Sequence, residues 1–518
     1  MKLYLLAGLL AVGSCAVNIG NLPAHPDGQT TESSVLTPIR ANIGIAVQKH
    51  PYYRNVAGDA SYLLARSQVA NRSRASNKSA KNVILFVGDG MGVSTVTAAR
   101  IYAGQLRGEP GEENYLSFER FPHVALSKTY NYDAQVPDSA GTISAMMSGV
   151  KTLHGVLGVT NKVRRNDCSS LADSRAPNFL ELMEMSGRAT GVISTAEITH
   201  ATPGATYSHV ASRGWANDAS MPVEALEEGC QDIAQQLLNF SYGNGIEVVL
   251  GGGRRSFLPE GTSDFEDQEK SGNRRDGRNL ISEWQSNNTG GAFVWNSQQF
   301  RHVSSTPVLG LFEYSHMKYN ADRAEDAAGE PSLAEMTEKA IRLLSDSEQG
   351  FFIMIEAGRI DHGHHGANAF RALNDTVALS NAVAVADELT NDDETLIIVT
   401  ADHSHTMTIN GYPVRGNPIL GKVRGDNGEL ALDDNNRPYT TLTYANGPGH
   451  SGQDISKIDT QDKNYRQEGT FPKRSETHGG EDVAVYAKGP SASLVGGVME
   501  QNEIFHVMLR AVNGYHTN

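Results

Sequence analysis

The feature that most constrains this chain is a series of short, mostly apolar runs spread along a long sequence and separated by helical patterns. They are Val83-Ile-Leu-Phe-Val87, Thr190-Gly-Val-Ile-Ser194, Ile246-Glu-Val-Val-Leu250, Phe351-Phe-Ile-Met-Ile355, Leu396-Ile-Ile-Val-Thr400 and Val483-Ala-Val-Tyr-Ala487. A strand that is apolar at both alternating sets of positions must be covered on both faces, as in a parallel sheet packed between crossover helices. Helical stretches such as Leu333 to Ser345 and Ala367 to Leu389 supply that cover. The predicted fold is therefore α/β: a doubly wound, mainly parallel central sheet sandwiched by helices, with ligands expected beyond the carboxyl ends of the strands.

At 518 residues the chain has room for one large core with insertions. Residues 1–15 place Lys2 before an apolar stretch too short to span a bilayer, which reads as an export signal. Small residues before Cys15 allow two processing routes, lipid attachment at Cys15 or ordinary cleavage near Ala16, and both stay open. The expected location is the periplasm, the medium, or a lipid-anchored position in the cell envelope. Residues 16–80 are polar and read as a linker plus an arm, with one helix around Asn55 to Gln68. Residues 81–405 and 476–512 form the predicted core. Residues 406–475, rich in Gly, Asn, Asp and Pro, read as an inserted, crown-like surface subdomain.

A net charge of −15 disfavours nucleic acid or an anionic membrane surface as partner. An anionic substrate must then be drawn in by local positive charge, a metal or an arginine. Beyond Cys15 the chain has Cys168 and Cys230. In an exported protein this pair suggests a disulfide, the alternative being two free buried thiols.

Three predicted strands end in acidic or histidine-rich motifs. Gly88-Asp-Gly-Met-Gly92 puts Asp89 in a turn whose glycines let the backbone crowd a ligand, and its spacing is not the dinucleotide-binding G-x-G-x-x-G. Glu356-Ala-Gly-Arg-Ile-Asp-His-Gly-His-His365 sets Asp361 and His365 one helical turn apart, an oxygen and a nitrogen ligand at zinc-like spacing. Thr400-Ala-Asp-His-Ser-His405 brings Asp402 and His403, and Glu476-Thr-His-Gly-Gly480 adds His478. Together Asp89, Glu356, Asp361, His365, Asp402, His403 and His478 are too many for one tetrahedral zinc; they suit two zinc ions plus a harder, oxygen-seeking ion. Paired metals fit in-line displacement at phosphorus. Pro137-Asp-Ser-Ala-Gly-Thr-Ile-Ser144 offers Ser139 near the start of a small-residue helix, where end amides can cradle a phosphoryl oxygen and where an ordinary helix cap would read the same way.

These motifs together resemble the alkaline phosphatase family over roughly residues 81 to 510, and its animal-type branch most closely. The Cys168/Cys230 pair, the Gly358-Arg-Ile-Asp-His-Gly-His-His365 run and Gly447-Pro-Gly449 carry that judgement. The resemblance implies hydrolysis of phosphate monoesters through a phosphoserine on Ser139, with two zinc ions and one magnesium per subunit, in a homodimer. It implies Asp361, His365 and His478 around one zinc and Asp402, His403 and Ser139 around the other. Asp89 would bridge to magnesium, with Glu356 and Thr202 completing that ion's protein ligands. Arg213 matches the phosphate-clamping arginine, whose planar fork suits two phosphoryl oxygens. His200 and His362 match positions behind the ligands. A calcium site is implied at Glu266, Phe312, Glu313 and Glu330, where Glu330 stands in place of a shorter Asp.

Ile143 and Ser144 depart from the family's nucleophile helix, which bears on helix packing. Two rival readings are a phosphodiesterase of the same metal-hydrolase superfamily and an exported phosphate- or metal-binding protein without turnover.

Overall fold

The computed structural model describes residues 43–72, 79–449 and 452–513. The export segment and Cys15 lie outside them. A ten-stranded sheet runs through the molecule in the spatial order Gly497–Glu500, His123–Lys128, Val483–Lys488, Thr395–Ala401, Asn82–Gly88, Phe351–Ala357, Ala189–Glu197, Val248–Gly252, Val308–Leu311, Ala292–Val294. Strand 483–488 is antiparallel to both neighbours, and every other pairing is parallel.

The alternation of side chains along each strand fills two cores. Val83, Leu85 and Val87 face one layer of helices, while Ile84 and Phe86 face the other. On the first side lie helices Ser139–Ser148, Phe179–Met185 and Glu503–Asn513, contributing Met146, Phe179 and Phe505. On the second lie Val93–Gln105, Leu333–Leu344 and Ala369–Leu389, contributing Val96, Met336 and Leu379. The predicted doubly wound sandwich is therefore the observed one.

Register places the chemistry. In neighbouring parallel strands Gly88 pairs with Ala401 on one side and with Ala357 on the other. Asp89, Asp402 and Glu356 thus emerge side by side at the carboxyl edge of the sheet. Just past that edge, His405 pairs with His478 in a short antiparallel ladder. This ladder is the neck through which residues 406–475 leave and return, and it brings a distant histidine back to the site. The insertion contains a three-stranded sheet of Met407–Ile409, Leu442–Gly447 and Gly469–Pro472.

Among the described residues the arm forms three helices, Ile43–Lys49, Tyr53–Val56 and Ala60–Arg72, the last two around the predicted segment. Cys168 and Cys230 are disulfide-linked, with Cα atoms 5.9 Å apart. Among the described residues no helix is long and apolar enough to cross a membrane.

Candidate active site

Ser139 opens the helix Ser139–Ser148, which is buried along its whole length. Asp138 caps it by accepting from the Gly141 N–H at 3.2 Å. Ser139 Oγ lies 3.2 Å from His403 Nε2. Ile143 sits in the core, and Ser144 Oγ accepts from the Gly158 N–H at 3.0 Å, so the unusual helix residues are accommodated by packing and by a loop hydrogen bond.

Three histidines show the same orientation. His365, His403 and His478 each use Nδ1 on a backbone carbonyl: Glu476 at 2.6 Å, Ser404 at 3.2 Å and Pro137 at 2.8 Å. A carbonyl only accepts, so Nδ1 carries the proton and the Nε2 lone pair is left facing inward. His365 Nε2 and His478 Nε2 lie 3.3 and 3.4 Å from Asp361 Oδ1. His403 Nε2 lies 3.3 Å from Asp402 Oδ2 and 3.4 Å from Asp89 Oδ1. Lone pair facing lone pair is repulsive unless a cation stands between them.

The donors sort into three groups, in each of which the ligand atoms lie within 4.8 Å of one another: Asp361, His365, His405 and His478; Asp89, Asp402 and His403; and Asp89, His200 and Glu356. Both carboxylate oxygens of Asp89, Asp402 Oδ2, Glu356 Oε1 and Thr202 Oγ1 are buried without a hydrogen-bond partner. Burial, with the crowd of like charges, drives Asp89 well above the usual carboxylate range and Glu356 up to about 7. Orphaned oxygens, inward lone pairs and a nitrogen-rich set beside an oxygen-rich one fit divalent cations.

His405 was quoted only as the end of a motif and is a functional residue that sequence reasoning missed. Its Nε2 is 2.7 Å from Asp361 Oδ1 and its Nδ1 bonds Glu476. Burial opposes a charge there, yet the two carboxylates outweigh it and raise His405 to about 10. With both nitrogens on carboxylates it is a buried cation that steadies Asp361. Its alternation with His403 along a strand end was the available signal.

Arg213 is held at both ends, Nη1 donating to Asp138 Oδ2 at 3.1 Å and Nη2 to His200 Nε2 at 3.2 Å. His200 and His362 lie behind it with their rings 5.5 Å apart. Burial first, then neighbouring cations, pushes His200 well below its usual range and His362 to about 3, so both are neutral.

Away from this site, Glu266, Glu313 and Asp326 bring carboxylates within 4.8 Å of one another. Asp326 was not foreseen, and Glu330 is not in the cluster. Glu330 folds back so that its two oxygens accept from the Lys318 N–H at 3.0 and 3.2 Å, and burial raises it to about 9. Phe312 packs against Phe300 in the core, with ring centroids 5.4 Å apart.

Compared with known proteins, residues 80–513 match the alkaline phosphatase family. The chain belongs to that family. It is 44% identical over 479 residues to the tissue-nonspecific alkaline phosphatase of Gallus gallus, covering 90% of this chain and 90% of that protein. It is 44% identical over 457 residues to the alkaline phosphatase of Gadus morhua, covering 86% and 93%. Alkaline phosphatase from Thermus thermophilus superposes with a TM-score of 0.61 at 24% identity, covering 85% of this chain and 93% of that one. The enzyme of the Antarctic bacterium TAB5 gives 0.58 at 23%, covering 85% and 100%. At such identities these two structures speak to the fold. This alkaline phosphatase is a phosphoric monoester hydrolase, and its substrates are phosphate monoesters.

Proposed function

We propose that the enzyme works through a covalent phosphoserine on Ser139, at a site built for two zinc ions and one magnesium. The observation that carries this is the shared orientation of His365, His403 and His478, Nδ1 on a carbonyl and Nε2 inward. Asp361, His365 and His478 would hold one zinc, with His405 behind Asp361. Asp402, His403 and Ser139 would hold the other. Asp89 would bridge to a magnesium also held by Glu356 and Thr202, oxygen donors suited to a hard cation. When bound, the metals lower the pKa of the serine hydroxyl and of water and stabilise the departing alkoxide.

Ser139 Oγ attacks phosphorus as the bond to the ester oxygen breaks, and water then cleaves the phosphoserine to release inorganic phosphate. His403 Nε2, 3.2 Å from Ser139 Oγ, would be committed to the metal held with Asp89 and Asp402 and so would not serve as the serine's base. Arg213, braced by Asp138 and His200, spans two non-bridging phosphoryl oxygens.

Chelation should abolish phosphate release from p-nitrophenyl phosphate, and zinc plus magnesium should restore it. Label from substrate quenched at low pH should map to Ser139, and Ser139→Ala should lose both the label and at least about 99% of turnover. Label on any other residue would falsify the assignment.

The Glu266, Glu313 and Asp326 carboxylates would hold calcium at a separate site, the ion taking the place of the Lys318 ammonium that lies 2.8 Å from Glu313, since oxygen-only donors suit that ion. The disulfide supports export into an oxidising compartment. A second copy of the chain covers the exposed apolar edge of the sheet described below.

A further inference from the structure

The phosphate clamp proposed for Arg213, on which this inference rests, is backed by a third histidine, His316, which lies on the loop after strand Val308–Leu311 and has no part in the donor groups. Its ring sits 4.3 Å from that of His362 and 5.4 Å from that of His200, nearly perpendicular to the latter at 86°. The three rings form a closed triangle, because His200 and His362 are themselves 5.5 Å apart. One corner, His200, accepts from Arg213 Nη2; a second, His362, accepts on Nδ1 from Arg359 Nη1 at 2.8 Å.

His316 is the corner with the firmest backbone anchor. Its Nδ1 accepts from the Glu197 N–H at 3.1 Å. On either side, Ser315 Oγ donates to Glu197 Oε1 at 2.6 Å and the Met317 N–H donates to Thr195 O at 3.1 Å. The loop is thereby fixed to the end of strand Ala189–Glu197, the strand that also carries Ser194, the hydroxyl bonded to Glu356. His200 has no such tie through its side chain, since its Nδ1 is buried without a hydrogen-bond partner. Packing against the other two rings is then what fixes the plane of the His200 ring. That plane decides whether Nε2 meets Arg213.

We propose that His316 is a positioning residue for the phosphoryl group: it holds His200 and His362 in the orientation that keeps Arg213 aimed at the site. It touches no reacting atom and acts only through its neighbours. A guanidinium released on the His200 side can swing about its remaining bond to Asp138, and a displacement of about 1 Å is enough to reduce catalysis substantially.

The test compares wild type, His316→Ala, Arg213→Ala and the double variant in metal-loaded enzyme. The readouts are KM, kcat, the inhibition constant for inorganic phosphate, and the melting temperature. His316→Ala should raise KM and the phosphate inhibition constant together by about fivefold to tenfold, with a smaller loss in kcat. In the Arg213→Ala background the same change should add less than about twofold, because the clamp it serves is gone. An unchanged phosphate constant, or the same fold-change in both backgrounds, would overturn the proposal. His316→Asn covers the case in which the alanine variant does not fold. Its Oδ1 can take the Glu197 N–H in place of Nδ1, while the ring that packs on His200 and His362 is lost. It should show the same rise in the phosphate constant, and a wild-type value would reduce His316 to a loop anchor and sink the idea.

Discussion

Arg213 shows how much of this site is set by single residues outside the metal groups. Its guanidinium is aligned by a carboxylate on one side and a neutral imidazole on the other, so in the proposed clamp little freedom would be lost when phosphate arrives. Removing it deletes two charge-assisted hydrogen bonds without touching a metal ligand. Arg213→Ala should therefore weaken inhibition by inorganic phosphate about tenfold to a hundredfold while the zinc content of the purified protein stays at the wild-type value. Unaltered inhibition would contradict the clamp. Gly90 shows the converse, a residue defined by what it lacks. It has φ +70°, its N–H donates to Asp402 Oδ1 at 2.9 Å, and a Cβ there would run into the His405 ring. The glycines around Asp89 announced this crowding in the sequence, but not that the crowding partner would be His405. The hold of Asp138 on Arg213 and the anchoring of His316 were illegible for a different reason, because both are contacts between chain segments far apart in sequence.

Among the secondary-structure elements, the longer strands buried on both faces were readable, and short or edge strands were not. The apolar runs beginning at Val83, Phe351 and Leu396 became the centre of the sheet, where polar residues are confined to the strand ends. His123–Lys128, Ala292–Val294, Val308–Leu311 and Gly497–Glu500 were missed because they are short and mostly lie toward the sheet's margins. The pairing of Glu184 with Glu247 was equally invisible. Glu184, on helix Phe179–Met185, lies against the start of strand Ala189–Glu197, where its Oε1 accepts from the Thr190 hydroxyl and Glu247 Oε2 accepts from the Thr190 N–H at 2.7 Å. Burial, then the neighbouring Glu247, raises Glu184 from 4.5 to about 9. The folded state thus keeps a proton that the unfolded chain gives up above about pH 4.5. Stability from this group is full below that value and drains away as pH rises to about 9. Glu184→Gln should abolish this drain. Between pH 6 and pH 9.5 its melting temperature should fall less than that of wild type by at least about 2 °C, and parallel curves would refute the shared proton. The acidic loop gives a second contrast between elements. Calcium should raise the melting temperature of zinc- and magnesium-loaded enzyme, Asp326→Asn should remove that rise, and Glu330→Gln should retain it. Loss of the rise in Glu330→Gln instead would return the site to the arrangement expected from sequence.

At the scale of the whole molecule, the sequence announced the layered architecture, the disulfide and most of the side chains that the fold gathers into the three donor groups, because each rests on residue types that tolerate few substitutes. The disulfide closes a span of 62 residues and, by loss of unfolded-chain entropy, contributes about 4 kcal/mol. The arm meets the core at a buried contact between His50 Nε2 and Glu181 Oε2, 3.0 Å apart. What composition could not show is where the protein leaves apolar surface uncovered. One face of the sheet's edge carries Val124, Leu126 and Val498, which are 51%, 40% and 54% exposed. Leu126 and Val498 are register partners, and Val124 lies two residues along the same strand, so the three form one continuous patch. Tyr130, Tyr132 and Val136, also exposed, extend the apolar surface along the chain to Pro137, whose carbonyl fixes His478. A contiguous exposed apolar patch is costly in water and is the kind of surface that serves as an interface. A second copy would present the same patch about a twofold axis, burying like against like. Wild type should therefore sediment as a dimer at micromolar concentration. The double change Val124→Asp and Leu126→Asp places buried, unpaired charges at that contact, which should weaken dimerisation at least about a hundredfold and give a monomer. The two side chains point to solvent in the single chain, so the monomer should keep its fold and disulfide. A wild-type monomer, or a variant that still sediments as a dimer, would place the interface elsewhere.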